Sequence, residues 1–124
     1  KQRRFLCITV QAPTFSKKGD VDMPHATADT NRVQSGIHFI LGNYAMVEGA
    51  ISAGCDFFGG YPITPANEIS ERMSQRLPMV GGKFLQGEDE LCSIYACAGA
   101  ALAGAKAMTA TASAGFNYMQ EGRG

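Results

Sequence analysis

An excess of charge of either sign is missing from this sequence: 11 Lys+Arg stand against 11 Asp+Glu over 124 residues, for a formal net charge of zero. That balance gives no electrostatic pull toward nucleic acid or an anionic membrane. Long apolar runs are missing too, and nothing approaches the ~20 residues of a membrane span. The opening KQRRFLCITVQA imitates a secretory leader, with basic residues ahead of apolar ones. Its apolar stretch, FLCITV, is six residues long, short of the roughly 7–15 such a region needs. No G-x-G-x-x-G follows a strand pattern, which disfavours a Rossmann-like nucleotide domain. No two of the four cysteines form C-x-x-C, and Cys92 and Cys97 sit on a segment read as helix at a spacing that turns them apart about its axis. A shared metal or iron–sulfur site is therefore not expected. Cys7, Cys55, Cys92 and Cys97 read as reduced, buried, structural thiols of a cytoplasmic protein.

The composition that is present, 45% hydrophobic with 15 glycines, suits one globular domain at most. Charge is unevenly spread. Residues 1–35 carry six Lys/Arg against three Asp/Glu, and the remainder carries five against eight, which places a boundary near residues 35–42. Residues 1–36 are polar, turn-rich and aperiodic apart from FLCITV, a short strand candidate. They are expected to be a poorly structured or non-native N-terminal extension, with residues 1–22 upstream sequence and Met23 a natural start. Residues 37–124 are expected to form a partial domain.

Regular patterning begins at Asn43, read as an N-cap for a helix through YAMVEGAISA that closes at Gly54. CDFFGGY follows as a short buried strand. Thr64 is read as the N-cap of the next helix, with Pro65 in its first position and Glu68 and Glu71 favouring the positive end of the dipole. Ala66, Ile69, Met73 and Leu77 then recur at helical spacing, and Pro78 stops the run. GGKFLQ (81–86) reads as a strand, DELCSIYACAGAALAG (89–104) as a helix, and AKAMTATA (105–112) as a third strand. The last helix is small or apolar nearly all round, which predicts burial on every side. Strand and helix alternate, so the fold class is α/β, a parallel sheet flanked by helices. Three such units cannot cover both faces of a sheet, and the chain is expected to be a fragment that stops mid-fold.

Parallel sheets of this kind bind ligands at the carboxyl ends of their strands. Three such ends carry unusual residues. GGYPITP holds Thr64 between two prolines that fix φ near −65°; a helix cap explains it equally. QGEDE clusters Glu88, Asp89 and Glu90, with Glu88 nearest the strand end; a dipole-favoured acidic helix start is the plain alternative. TATASAG offers Thr109, Thr111 and Ser113 beside Gly115, where a β-branched strand and a turn would suffice.

Taken together, GNYAMVEGAISAGCDFFGGYPITPANEISERM, GGKFLQGEDE and GAKAMTATASAGFNYMQE resemble the alpha subunit of 2-oxoacid:ferredoxin oxidoreductases, in the part that holds the pyrimidine ring of thiamine diphosphate. The resemblance runs from Asn43 to Glu121. It implies an incomplete thiamine-diphosphate-binding fold of the pyrimidine type. It also implies that Glu88 approaches the ring nitrogen of the aminopyrimidine and favours the imino tautomer that takes the proton from the thiazolium carbon. Thr64 would reach the substrate side, while Tyr61, Pro62, Ile63 and Pro65 shape that wall. The whole enzyme would convert a 2-oxoacid, CoA and a ferredoxin or flavodoxin into CO₂, acyl-CoA and reduced carrier. The EDE run favours 2-oxoglutarate over pyruvate. The diphosphate and Mg²⁺ would be held mainly by a beta subunit, a gamma subunit is a further candidate partner, and an iron–sulfur cluster would lie elsewhere in the complex. The other reading is a non-catalytic subunit-docking module of the same fold. Where the family reads Ser-Gly-Pro-Gly after its TAT, Ala112, Ser113, Ala114 and Gly115 stand here, and Arg123 stands where an apolar residue is usual.

Overall fold

The computed structural model describes residues 5–10 and 34–123. Two strands come first. β1 (Phe5–Val10) pairs antiparallel with β2 (Gly36–Leu41), Phe5 opposite Leu41 and Val10 opposite Gly36. FLCITV is thus a strand, and the rest of the 1–36 extension lies outside the described residues apart from the lead into β2.

Helix α1 (Gly42–Ser52) starts directly after β2. Asn43 is not its N-cap. Its side chain lies inside the first turn and instead donates to Pro65 O at 2.8 Å and Glu68 Oε2 at 3.1 Å, tying α1 to the next helix. The helix closes as expected at Gly54, where φ is +88° and the Gly54 and Cys55 N–H groups return to Ile51 O and Ala50 O.

Strand β3 (Phe57–Gly60) is central in a three-stranded parallel sheet of order β4-β3-β5. β4 (Lys83–Gln86) pairs with all of it, Phe57 opposite Lys83 and Gly60 opposite Gln86. β5 (Ala107–Met108) is shorter than AKAMTATA suggests, pairing only through Phe57–Ala107 and Phe58–Met108. The Cys97 thiol donates to Met108 O at 3.3 Å and, more distantly, to Gly59 O at 3.9 Å. From Thr109 the chain leaves the sheet.

Alternate residues of β3 face opposite layers, as the pleat requires. Phe58, fully buried, stacks on Phe84 with ring centroids 5.8 Å apart and joins Val47, Ile51, Ile69, Met73, Leu77 and Val80. That core is supplied by α1, by α2 (Asn67–Arg76) and by the short 3-10 turn Pro78–Val80. Gly59 faces the other way, toward α3 (Glu90–Leu102). A Cβ there would sit 3.0 Å from Ser93 O and 3.2 Å from Cys97 Sγ, so any side chain would require the helix to give by a few tenths of an ångström. Two short helices follow, α4 (Ala114–Tyr118) and α5 (Gln120–Arg123).

Three expectations need correction here. α2 starts at Asn67 behind Ala66, so Thr64 does not cap it; Ala66 N–H bonds back to Ile63 O at 2.7 Å, which places Thr64 and a cis-linked Pro65 inside a turn ahead of the helix. α3 is not buried all round. Glu90, Ser93 and Cys97 face inward, but Leu102 is 92% exposed and Tyr95 half exposed. Cys92 is exposed on the same outer face, while Cys55 and Cys97 are buried as expected. Burial pushes the Cys55 and Cys97 thiols above the ordinary value, against smaller opposing contributions from the backbone of Phe57 and Gly59. The side chain of Cys7 lies outside the described residues.

Candidate functional site at the carboxyl edge of the sheet

Because β3, β4 and β5 run in parallel, the loops that follow them emerge on one edge. The first two are joined at their roots: Gly87 N–H donates to Gly60 O at 2.9 Å, immediately beyond the last ladder pair. Each loop contributes to one cavity of about 270 Å³. Tyr61 and Ile63 come from the β3 loop, Asp89 and Glu90 from the start of α3, and Ala114, Gly115 and Tyr118 from the segment after β5.

Of the residues singled out from the sequence, Tyr61 and Ile63 line this cavity, while Pro62, Thr64, Pro65 and Glu88 stand exposed beside it. Thr64 Oγ1 accepts from Asn67 Nδ2 at 3.2 Å, which orients the hydroxyl within its turn. Asp89 is the N-cap of α3, its Oδ1 accepting from Cys92 N–H at 2.6 Å. Glu88, one residue before that cap, is held by backbone on both sides yet has its side chain in the open.

Glu90 was named only as one of three clustered acids, and Tyr118 was not singled out at all. Glu90, 9% exposed, turns into the cavity. The signal was its spacing: Glu90, Ser93 and Cys97 follow the 3-and-4 rhythm of one helix face. Tyr118 comes from a segment too short to show a period. The third loop also holds two buried hydroxyl oxygens, Thr109 Oγ1 and Thr111 Oγ1, that have no hydrogen-bond partner. Backbone geometry is unusual next to them. Ser113 has φ 49° and ψ −118°, a region that L residues rarely adopt.

The cavity lining carries two carboxylates, two tyrosines and no lysine, arginine or histidine. Chemically it can accept hydrogen bonds from N–H groups. It cannot neutralise a diphosphate.

Residues 48–124 match the family described as pyruvate flavodoxin/ferredoxin oxidoreductase, thiamine diphosphate-binding. The chain belongs to that family of thiamine-diphosphate-binding domains. It is 58% identical over 88 residues to the 2-oxoglutarate synthase subunit KorA of Archaeoglobus fulgidus, covering 71% of this chain and 25% of that protein. It is 49% identical over 83 residues to the ketoisovalerate oxidoreductase subunit VorB of Methanothermobacter thermautotrophicus, covering 67% of this chain and 24% of the relative. Among solved structures it resembles the 2-oxoglutarate:ferredoxin oxidoreductase of Magnetococcus marinus, solved with 2-oxoglutarate, coenzyme A and succinyl-CoA bound. That likeness has a TM-score of 0.64 and 45% identity, over 64% of this chain and 14% of that one. The chain therefore spans about a quarter of the length of the curated relatives it matches. Among the described residues no helix is long and apolar enough to cross a membrane.

Proposed function

We propose that this chain is part of the alpha subunit of a 2-oxoacid:ferredoxin oxidoreductase and supplies one wall of a thiamine diphosphate cleft. The observation that carries this reading is the convergence of the loops after β3, β4 and β5 on one acidic, aromatic cavity, in a chain of the thiamine-diphosphate-binding family. The residues present fit one end of that cofactor. The acids at 88 to 90, two of which line the cavity, suit the N–H groups of an aminopyrimidine. The diphosphate and Mg²⁺ belong with cationic and metal-binding groups of a partner beta subunit, with a gamma subunit a further partner.

When bound, the cofactor supplies a nucleophilic carbon and an electron sink for decarboxylation. Glu88 is the catalytic candidate: its carboxylate would hydrogen-bond the ring nitrogen and set the ring's tautomer. Its loop is anchored at the root by the Gly87–Gly60 bond. Thr64 presents its hydroxyl from a turn braced by Pro62 and Pro65, toward the substrate side, with Tyr61 and Ile63 as the wall. The complete enzyme oxidises a 2-oxoacid and passes two electrons through an iron–sulfur cluster elsewhere in the complex to ferredoxin or flavodoxin. CO₂ and the acyl-CoA are released. The substrate is assigned as 2-oxoglutarate, the acid named for the relatives with 54–58% identity. The location is cytoplasmic.

The test is thiamine-dependent turnover of the full-length assembled complex carrying Glu88→Gln. A loss of roughly two or more orders of magnitude is expected for a residue handling a proton. Unchanged turnover would favour the other reading, a subunit-docking module of the same fold.

A further inference from the structure

The turn between β3 and α2 carries Thr64. Packing holds the two ends of that turn, with Ala66 buried and Ile63 half-buried against the core. Its middle, Thr64 and Pro65, stands exposed, so its position depends on hydrogen bonds more than on burial.

Three bonds meet there. Ala66 N–H returns to Ile63 O at 2.7 Å, and Asn67 Nδ2 donates to Thr64 Oγ1 at 3.2 Å. Both are local and would travel with the segment. The third comes from outside: Asn43 Nδ2, in the first turn of α1 and 22 residues away, donates to Pro65 O at 2.8 Å. The same nitrogen donates to Glu68 Oε2 at 3.1 Å. A carbonyl and a carboxylate both accept, so the amide meets them with its two N–H groups, one for each. Asn43 also stands on a fixed base. Further along the same helix Val47 and Ile51 are buried, and Glu48 is locked to Arg76 and Arg72.

We propose that Asn43 is a positioning residue for Thr64, its bond to Pro65 O setting where the adjoining hydroxyl stands beside the cavity. The arm to Glu68 ties the two helices together; the arm to Pro65 acts on the turn. That the hydroxyl then meets substrate rests on the reading of Thr64 above; the hold on the turn does not.

The experiment compares Asn43→Ala, Asn43→Asp, Thr64→Ala and Glu68→Ala in the full-length assembled complex. Aspartate keeps the shape of asparagine but has no donor when ionised, so one variant remains if alanine fails to fold. Amide hydrogen exchange is read on the peptide spanning residues 61–66, where Pro62 and Pro65 carry no N–H and Ala66 reports closure of the turn. Both Asn43 variants should speed exchange there at least about tenfold, and Glu68→Ala about twofold at most. With 2-oxoglutarate as substrate, KM should rise about fivefold to tenfold in the Asn43 variants, the size of one hydrogen bond. A merely structural tie would lower the folded fraction and leave KM alone. On top of Thr64→Ala, Asn43→Ala should raise KM less than about twofold further, since both act on one hydroxyl.

Unchanged exchange in both Asn43 variants overturns the proposal. So does a Glu68→Ala effect equal to theirs, which puts the cause in helix packing, and so do fully additive losses in the double variant. Faster exchange with KM unmoved in every variant, Thr64→Ala included, upholds the hold of Asn43 on the turn and removes the substrate role of Thr64 instead.

Discussion

Arg76 grips Glu48 with two bonds at once, Nε to Oε1 at 3.0 Å and Nη2 to Oε2 at 3.1 Å, and Glu48 is only 1% exposed. Arg72 joins the same carboxylate, Nε and Nη2 reaching Oε1 at 3.1 and 3.0 Å, while its guanidinium lies 5.4 Å from the Tyr44 ring centroid. One acid on α1 therefore fastens two successive turns of α2, and with them the loop that carries Thr64.

Removing one partner strands the other. Glu48→Ala should lower the stability of the full-length subunit by about 3–5 kcal/mol, the usual consequence of an uncompensated buried charge. Replacing Glu48 and Arg76 together by Leu and Met should recover most of that. Urea unfolding of the single and double variants measures both, and a single variant within 1 kcal/mol of wild type would contradict the ion pair's role.

Ser113 stands where the resembling family has glycine, and its backbone is in the territory glycine prefers. Ser113→Gly should therefore stabilise the protein by about 1 kcal/mol. Ser113→Val should destabilise it, since a β-branched residue tolerates positive φ worst. Thermal midpoints of the two variants should move in opposite directions.

Gly115→Ala puts a methyl group into the space between Thr111 and Glu90. Overpacking at a tight site typically costs about 1–3 kcal/mol. The informative readout is thiamine diphosphate affinity, which should fall in this variant but not in Gly99→Ala, where the added methyl meets nothing within 4 Å.

Cysteine reactivity should separate by layer. On the isolated subunit near pH 8, a thiol reagent should modify the exposed Cys92 first and reach Cys55 and Cys97 only on unfolding. The two buried thiols have raised folded-state values, so the folded form keeps protons that the unfolded chain gives up. Their effect on stability is absent near pH 7. As pH climbs past the ordinary thiol value of about 8.5, the unfolded state gains by ionising and stability declines. Serine at both positions should flatten that decline in a pH series of unfolding midpoints.

The alternation of strand and helix was legible because each element has its own period: Ile69, Met73 and Leu77 mark the buried stripe of α2, and Gly54 marks the end of α1. Boundaries set by long-range bonds were not. Asn43 looks like a cap in isolation, yet its amide finds Pro65 and Glu68, more than 20 residues away. Thr64 looks like a cap as well, but the turn closed by Ile63 O takes it out of line with the helix. β5 is only two residues long, and the Cys97 thiol of α3 reaches Met108 O, a contact no local pattern encodes. At the cavity, Tyr61 and Ile63 could be named from the strand end they follow. Glu90 could not be told from its two acidic neighbours until α3's inner face was known.

The bond from Gly87 to Gly60 leaves Glu88 a single peptide of slack between one anchored amide and a capped helix. Lengthening the segment from 87 to 89 would break one anchor or the other before it moved the acid usefully. How far that acid extends is consequently a property of its own side chain: shortening to aspartate withdraws the charge by one methylene, and no neighbouring loop is free to make up the difference.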